Sequence, residues 1–116
     1  MDTREVLLKA ADLVEERGLA KFTQEDKSGA VCVQGAIQIA LYGRPFSNDW
    51  SPEATAANVV FGKYVKANGP DPERALDNGS GNAHWNNMPT RTKEEVVAAL
   101  RGAADSVVSA GTPLQS

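Results

Sequence analysis

Residues 30–42, AVCVQGAIQIALY, are apolar nearly all the way round a helix. A helix of that kind has no wet face to present, so other elements must surround it. Val31, Cys32, Val33, Ala36, Ile37, Ile39, Ala40 and Leu41 supply the apolar surface. Ala36, Ala40 and the length favour helix, while the Val and Ile content leaves a strand as the lesser reading. Gly35 lies inside the segment and is expected to let another helix approach closely. The chain's 116 residues suffice for one domain and are too few for two.

The surrounding elements are legible from their stripes and caps. In residues 3–17, Val6, Ala10, Leu13, Val14 and Arg17 recur at helical spacing with Leu7 beside them. Asp2 and Glu5 have capping-box spacing, and Gly18 supplies the stop. KFTQEDKSGA (21–30) reads as a polar connection anchored by Phe22, and GRPFSNDW (43–50) as a loop. Ser51, Pro52 and Glu53 start a helix that runs to about Asn68, with Ala54, Ala57, Phe61, Tyr64 and Val65 on one stripe. Trp50 precedes that cap in the staple position. Gly69-Pro70 ends the helix, and DPERALD (71–77) adds a turn or two capped by Asp71. Residues 78–91 lack periodicity and read as a long loop. Thr92 and Glu95 then cap a last helix over 93–109, with Val96, Leu100, Ala103 and Val107 on one face and Val97, Ala104 and Val108 adjoining. The expected architecture is all-α: one domain over 1–110, four main helices and a short one, a long loop before the last helix, and a frayed tail at 111–116.

The totals exclude several function classes. Net charge is -3, and no segment carries a basic excess: residues 1–27 hold five basic and seven acidic residues, 28–90 four and five, 91–116 three and three. Nucleic-acid binding through Trp85 stacking, helped by Arg74, Arg91 and Lys93, would need a basic groove that these counts do not supply. One cysteine permits no internal disulfide and fits a reducing compartment. MDTREVLLKA is too charged for a secretory signal, and no apolar run approaches the ~20 residues of a membrane span. The expected location is therefore the cytoplasm, without a membrane partner.

Three stretches carry a resemblance: CVQGAI (32–37), HWNN (84–87) and TRTKEEVVAALRGAA (90–104). Together they resemble a small domain-of-unknown-function family of actinobacteria and their phages. That family shows Cys-x-x-Gly-Ala-Ile on an inner helix, then Trp-Asn-Asp, a threonine and a Glu-Val helix. The likeness extends from AADLVEERG (10–18) to Ala104, and Asn87 stands where the family shows Asp. The resemblance implies a cytoplasmic actinobacterial or phage setting and no particular activity.

NAHWNNMPTRT (82–92) gathers the candidate site residues. One reading is a thiol hydrolase: Cys32 near a helix start as nucleophile, His84 as base, and Asn86 or Asn87 orienting it. Against it, Val31 and Val33 flank Cys32, which then reads as a small core residue. One Cys and one His do not make a zinc site, NGSGN (78–82) lacks the context of a phosphate loop, and no cofactor is indicated. The acids Glu15, Glu16, Glu25, Asp26, Glu94 and Glu95 fall on solvent faces or first turns, not in a paired-carboxylate cleft. Trp85 either packs its indole between helices, with Asn86 and Asn87 capping the loop, or stands exposed as an anchor for a partner. The sequence favours a non-enzymatic accessory module that binds a protein, a host protein if the gene is viral, through Trp85, Asn86, Asn87 and Arg91. The thiol hydrolase and a self-associating structural protein are the alternatives.

Overall fold

The computed structural model describes residues 1–47, 50–75 and 79–107. Helices account for its regular structure: α1 (Thr3–Arg17), α2 (Val33–Tyr42), α3 (Pro52–Asn68), a 3-10 turn (Pro72–Arg74), α4 (Asn82–Asn86) and α5 (Lys93–Ser106). Among the described residues there is no strand beyond isolated bridges at Val31. The all-α expectation holds.

The expected caps form. The Asp2 carboxylate accepts the Glu5 N–H while Glu5 accepts the Asp2 N–H, and Thr92 and Glu95 repeat the pattern at α5. Ser51 Oγ accepts the Ala54 N–H at the start of α3. Each such cap is worth about 1 kcal/mol. Helix α1 runs antiparallel to α5: Arg4 pairs with Asp105 at one end, and Lys93 Nζ reaches the Glu15 carbonyl at the other. Helix α2 lies against α1, α3 and α4, as its apolar circumference requires. Val33, Ala36, Ile37, Ile39 and Ala40 are buried there with Val6, Leu7 and Val14 of α1, Phe61 and Val65 of α3, and Val96 and Leu100 of α5. Gln38 of α2 is also fully buried, which its apolar surroundings do not foretell. Its amide clasps the Ser47 backbone, accepting the N–H at 2.6 Å and donating to the carbonyl at 3.1 Å.

Several expectations are corrected. Helix α2 starts at Val33, not at 30. The Val31 N–H donates to the Gly18 carbonyl, the Ala20 N–H to the Val31 carbonyl and the Cys32 N–H to the Gln24 carbonyl. Residues 18–25 thus take the backbone groups an earlier helical turn would use, and extended geometry suits the β-branched Val31. The close approach at Gly35 is made by this segment, not by another helix. A Cβ on Gly35 would collide with the Gln24 carbonyl oxygen. Phe22 is no anchor: it is 82% exposed, and Trp50 is 41% exposed. Residues 79–91 are not all loop, because Asn82–Asn86 form a helix. Asp71 stands at the cap position of the 3-10 turn without capping it. Of the last helix as expected, 108 and 109 lie outside the described residues, as do residues 76–77 of the short turn and the tail at 111–116.

Candidate functional site

Helix α4 has two faces with opposite fates. Trp85 points inward and is fully buried. Its ring meets Phe61 edge-on, with centroids 5.4 Å apart, and its Nε1–H donates to the Pro70 carbonyl at 2.7 Å. Arg91 covers the other side of the indole, 3.8 Å from the ring centroid. A buried guanidinium is costly unless its donors are met. Here Nε donates to the Trp85 carbonyl, one terminal nitrogen to Glu95 at 3.2 Å and the other to Asp71 at 3.0 Å. That demand explains Asp71: its backbone takes a left-handed φ of 52°, and its carboxylate serves Arg91 and not the 3-10 turn.

Asn86 is equally committed. Its Oδ1 accepts the Val33 N–H at the first turn of α2, and its Nδ2 donates to the Ala20 carbonyl. The side chain thereby ties α4 to α2 and to residues 18–25. Trp85, Asn86 and Arg91 are 0%, 1% and 4% exposed. Expected as contact residues, they lie inside the domain instead, because each finds its partners within the chain.

A cleft of about 430 Å³ borders α4 at Asn82, Ala83, Asn86 and the capping Asn87. Phe22, Gln24, Cys32, Gln34, Phe46 and Asn82 are among the residues lining it, and none of the lining residues is charged. Two features set this cleft apart. Phe22 and Phe46 are 82% and 57% exposed, and both hold left-handed backbones, with φ of 65° and 59°. That conformation costs a residue with a Cβ roughly 1–2 kcal/mol. It is held by amide side chains: Asn87 Oδ1 accepts the Phe22 N–H and Gln24 Oε1 accepts the Phe46 N–H, each at 2.8 Å. Lys21 braces the same region by donating to the Met88 and Pro89 carbonyls. The second feature is Asn82, which is 1% exposed. Its Nδ2 donates to the Asn58 carbonyl and side chain, but its buried Oδ1 finds no donor among the described residues. An orphaned buried acceptor costs about 1–3 kcal/mol.

A family model matches residues 1–106, which takes in every element from α1 to α5. The chain belongs to DUF6197, a family of unknown function. No curated protein and no solved structure matches it.

In this DUF6197 chain no one cleft among the described residues is lined by all of the thiol-hydrolase candidates Cys32, His84, Asn86 and Asn87. Cys32 caps α2, its sulfur accepting the Gly35 N–H at 3.4 Å. Burial pushes the thiol pKa up, and the backbone N–H groups around it pull the other way without reversing the shift. Cys32, Asn86 and Asn87 line the cleft, whereas His84 lines separate hollows beside Arg74, one of which Asn87 also borders. Both ends of the Asn86 amide are already bonded within the chain, so neither orients His84. No group of three or more His, Cys, Asp and Glu residues that would hold a metal occurs among the described residues, nor a helix long and apolar enough to cross a membrane.

The sequence reading missed Phe22, Gln24, Phe46 and Asn82 as site residues. Phe22 and Phe46 each sit in a polar stretch with no apolar periodicity around them. An aromatic residue isolated in a polar loop is the signal that was there to be read.

Proposed function

We propose that this DUF6197 chain is a non-enzymatic protein-binding module whose contact surface is the cleft between Phe22 and Phe46. One observation carries the reading: two exposed phenylalanines, each fixed by an amide in a left-handed backbone, flank one uncharged cleft. Backbone strain held in place by surrounding structure clusters at binding sites. Rigid aromatic side chains are the groups that anchor protein interfaces. Trp85, Asn86 and Arg91 serve this surface from below, and Asn87 serves it directly through the Phe22 N–H. The proposal includes a cytoplasmic actinobacterial or phage setting for the partner, on the strength of the resemblance in CVQGAI and HWNN.

A photo-crosslinking amino acid placed at 22, at 46 and, as control, at the exposed Lys9 tests this. The module yields the same adduct from positions 22 and 46 and none from 9. Equal adducts at all three positions, or none at 22 and 46, overturn it. A second copy of the chain as partner would give a species of twice 12.3 kDa by light scattering. The enzymatic alternative is tested separately: Cys32 should react with iodoacetamide more slowly than a free thiol at the same pH, and faster labelling would reopen it.

A further inference from the structure

The surface around the cleft continues past Phe22. A hollow of about 310 Å³ adjoins the cleft, and Phe22, Ala83 and Asn87 line both. Their chemistry differs. The cleft lining is uncharged, whereas Arg74 and His84 line the hollow with Met88 and Pro89. Lys21 brings its ammonium to the same place, since Nζ donates to the Met88 and Pro89 carbonyls at 2.7 and 3.2 Å. Among the described residues, no carboxylate lines the hollow. Arg4, Arg17, Arg91 and Arg101 each hold a carboxylate. Arg74 is exposed and holds none among the described residues, and neither does Lys21. The nearby acids are placed elsewhere: Asp71 serves Arg91, and Glu73 lines a different hollow with Ser80 and Gly81. In a chain of net charge -3, this is a local excess of positive charge beside the contact surface.

We propose that the hollow takes a carboxylate of the partner protein, an Asp or Glu side chain lying across Phe22 from the uncharged group that fills the cleft. This rests on the protein-binding reading above and names the charge of the partner segment. A guanidinium fork matches a carboxylate with two parallel N–H···O bonds, and Arg74 has its fork unused. An ammonium has three donors, so Lys21 keeps one beyond the two carbonyls, and His84 carries a ring N–H. Exposed ion pairs add little affinity, but they set orientation and exclude partners of the wrong charge. The cleft then supplies the buried contact, and the hollow fixes which way the segment runs over Phe22. A nucleic-acid strand repeats its phosphates along its length and needs cations all along its path, which the uncharged cleft does not provide. One acid beside one uncharged residue is the pattern that complements the two cavities.

The test is an NMR titration of the full chain with the peptide acetyl-Gly-Glu-Glu-Leu-Glu-Glu-Gly-amide and its versions carrying Gln or Lys in place of every Glu. Saturable shifts from the Glu peptide are expected at Phe22, Phe46 and the Arg74 side chain. The Gln peptide should bind about two- to fivefold more weakly, and the Lys peptide more weakly still. Arg74→Gln should abolish the preference for Glu over Gln while the melting temperature stays native, and Lys9→Gln should leave the preference intact. Raising the ionic strength from ~0.01 M to ~1 M shortens the Debye length from about 30 to about 3 Å and should also remove the preference. Equal affinity for the Glu and Gln peptides overturns the inference, as does a preference that survives Arg74→Gln or an absence of saturable shifts. An oligothymidylate that shifts Arg74 and binds more tightly than the Glu peptide overturns it in favour of a nucleic acid. If crosslinks at 22 and 46 capture a protein at the same yield from the Arg74→Gln chain, the inference falls and the protein-binding reading stands. If the Glu peptide binds through Arg74 but no protein crosslinks at 22 and 46, the protein-binding reading falls, and with it the claim that a protein supplies the carboxylate.

Discussion

Trp85 and Phe22 are large aromatic residues held by the same short helix, and their environments are opposites. Trp85 has a partner for every part of its surface: Phe61 at the ring, Arg91 over its face, Pro70 at its nitrogen. Phe22 is 82% exposed in a strained backbone, and what holds it is its own N–H on Asn87. A helix of five residues does not persist by its own hydrogen bonds. Helix α4 therefore depends on the Trp85 side for its existence, and the Phe22 side depends on α4 for its geometry. The first region is complete within the chain, while the second is arranged and left uncovered.

The sharpest way to break this contrast is Trp85→Ala. A fully buried aromatic replaced by alanine costs about 3–5 kcal/mol. At on the order of 4 °C per kcal/mol for a domain of this size, the melting temperature should fall by roughly 12–20 °C. A fall of only a few degrees would show that Trp85 is not the support claimed for it. Arg91→Met comes next. It keeps the stem that covers the indole and removes the charged head, leaving the Trp85 carbonyl without its donor while the half-exposed Asp71 and Glu95 rehydrate. The expected loss by urea denaturation is about 2–3 kcal/mol. Arg91→Lys should recover little of it, because one ammonium cannot span the Trp85 carbonyl and two carboxylates. Gly35→Ala follows, at about 1–3 kcal/mol of overpacking. Its added methyl pushes on the Gln24 carbonyl, and Gln24 holds the Phe46 N–H. This variant should lose crosslinking at position 46 more than its stability loss accounts for.

These residues differ in how far the sequence disclosed them. The core helices were legible because periodicity is a property of the chain alone: Val6, Ala10, Val14, Phe61, Val65, Val96 and Leu100 are buried where their spacing puts them. Caps were legible for the same reason, since Asp2 with Glu5 and Thr92 with Glu95 act over three residues. What escaped reading depends on distant segments. Val31 leaves the helix because Gly18 and Gln24 compete for the backbone of its stretch. Asn86 is buried because it bridges to Ala20 and Val33, 66 and 53 residues away. Phe22 looked like an anchor because a lone aromatic usually buries itself, and its exposure follows from a hydrogen bond to Asn87 that sequence spacing does not encode. The order of Trp85 and its neighbours in the motif was visible, but not which of them face inward.

The smallest expected change in stability is also the one that separates the two regions most cleanly. Glycine adopts positive φ at no steric cost, so Phe22→Gly and Phe46→Gly each relieve a strained backbone. Against that relief of roughly 1–2 kcal/mol stands the extra freedom of glycine in the unfolded chain, about 0.4–1 kcal/mol. Little packing is lost from side chains this exposed. Each variant should therefore melt at the native temperature or slightly above it, while partner crosslinking from the other position disappears. A core residue never behaves so, since removing one lowers stability and function together. If Phe22→Gly instead destabilises the chain by 2 kcal/mol or more, well beyond the ~0.5 kcal/mol usual for exposed positions, the side chain has a structural duty and the contrast with Trp85 collapses. If stability rises and binding persists, the strain belongs to the loop alone and the cleft loses its claim as the contact surface.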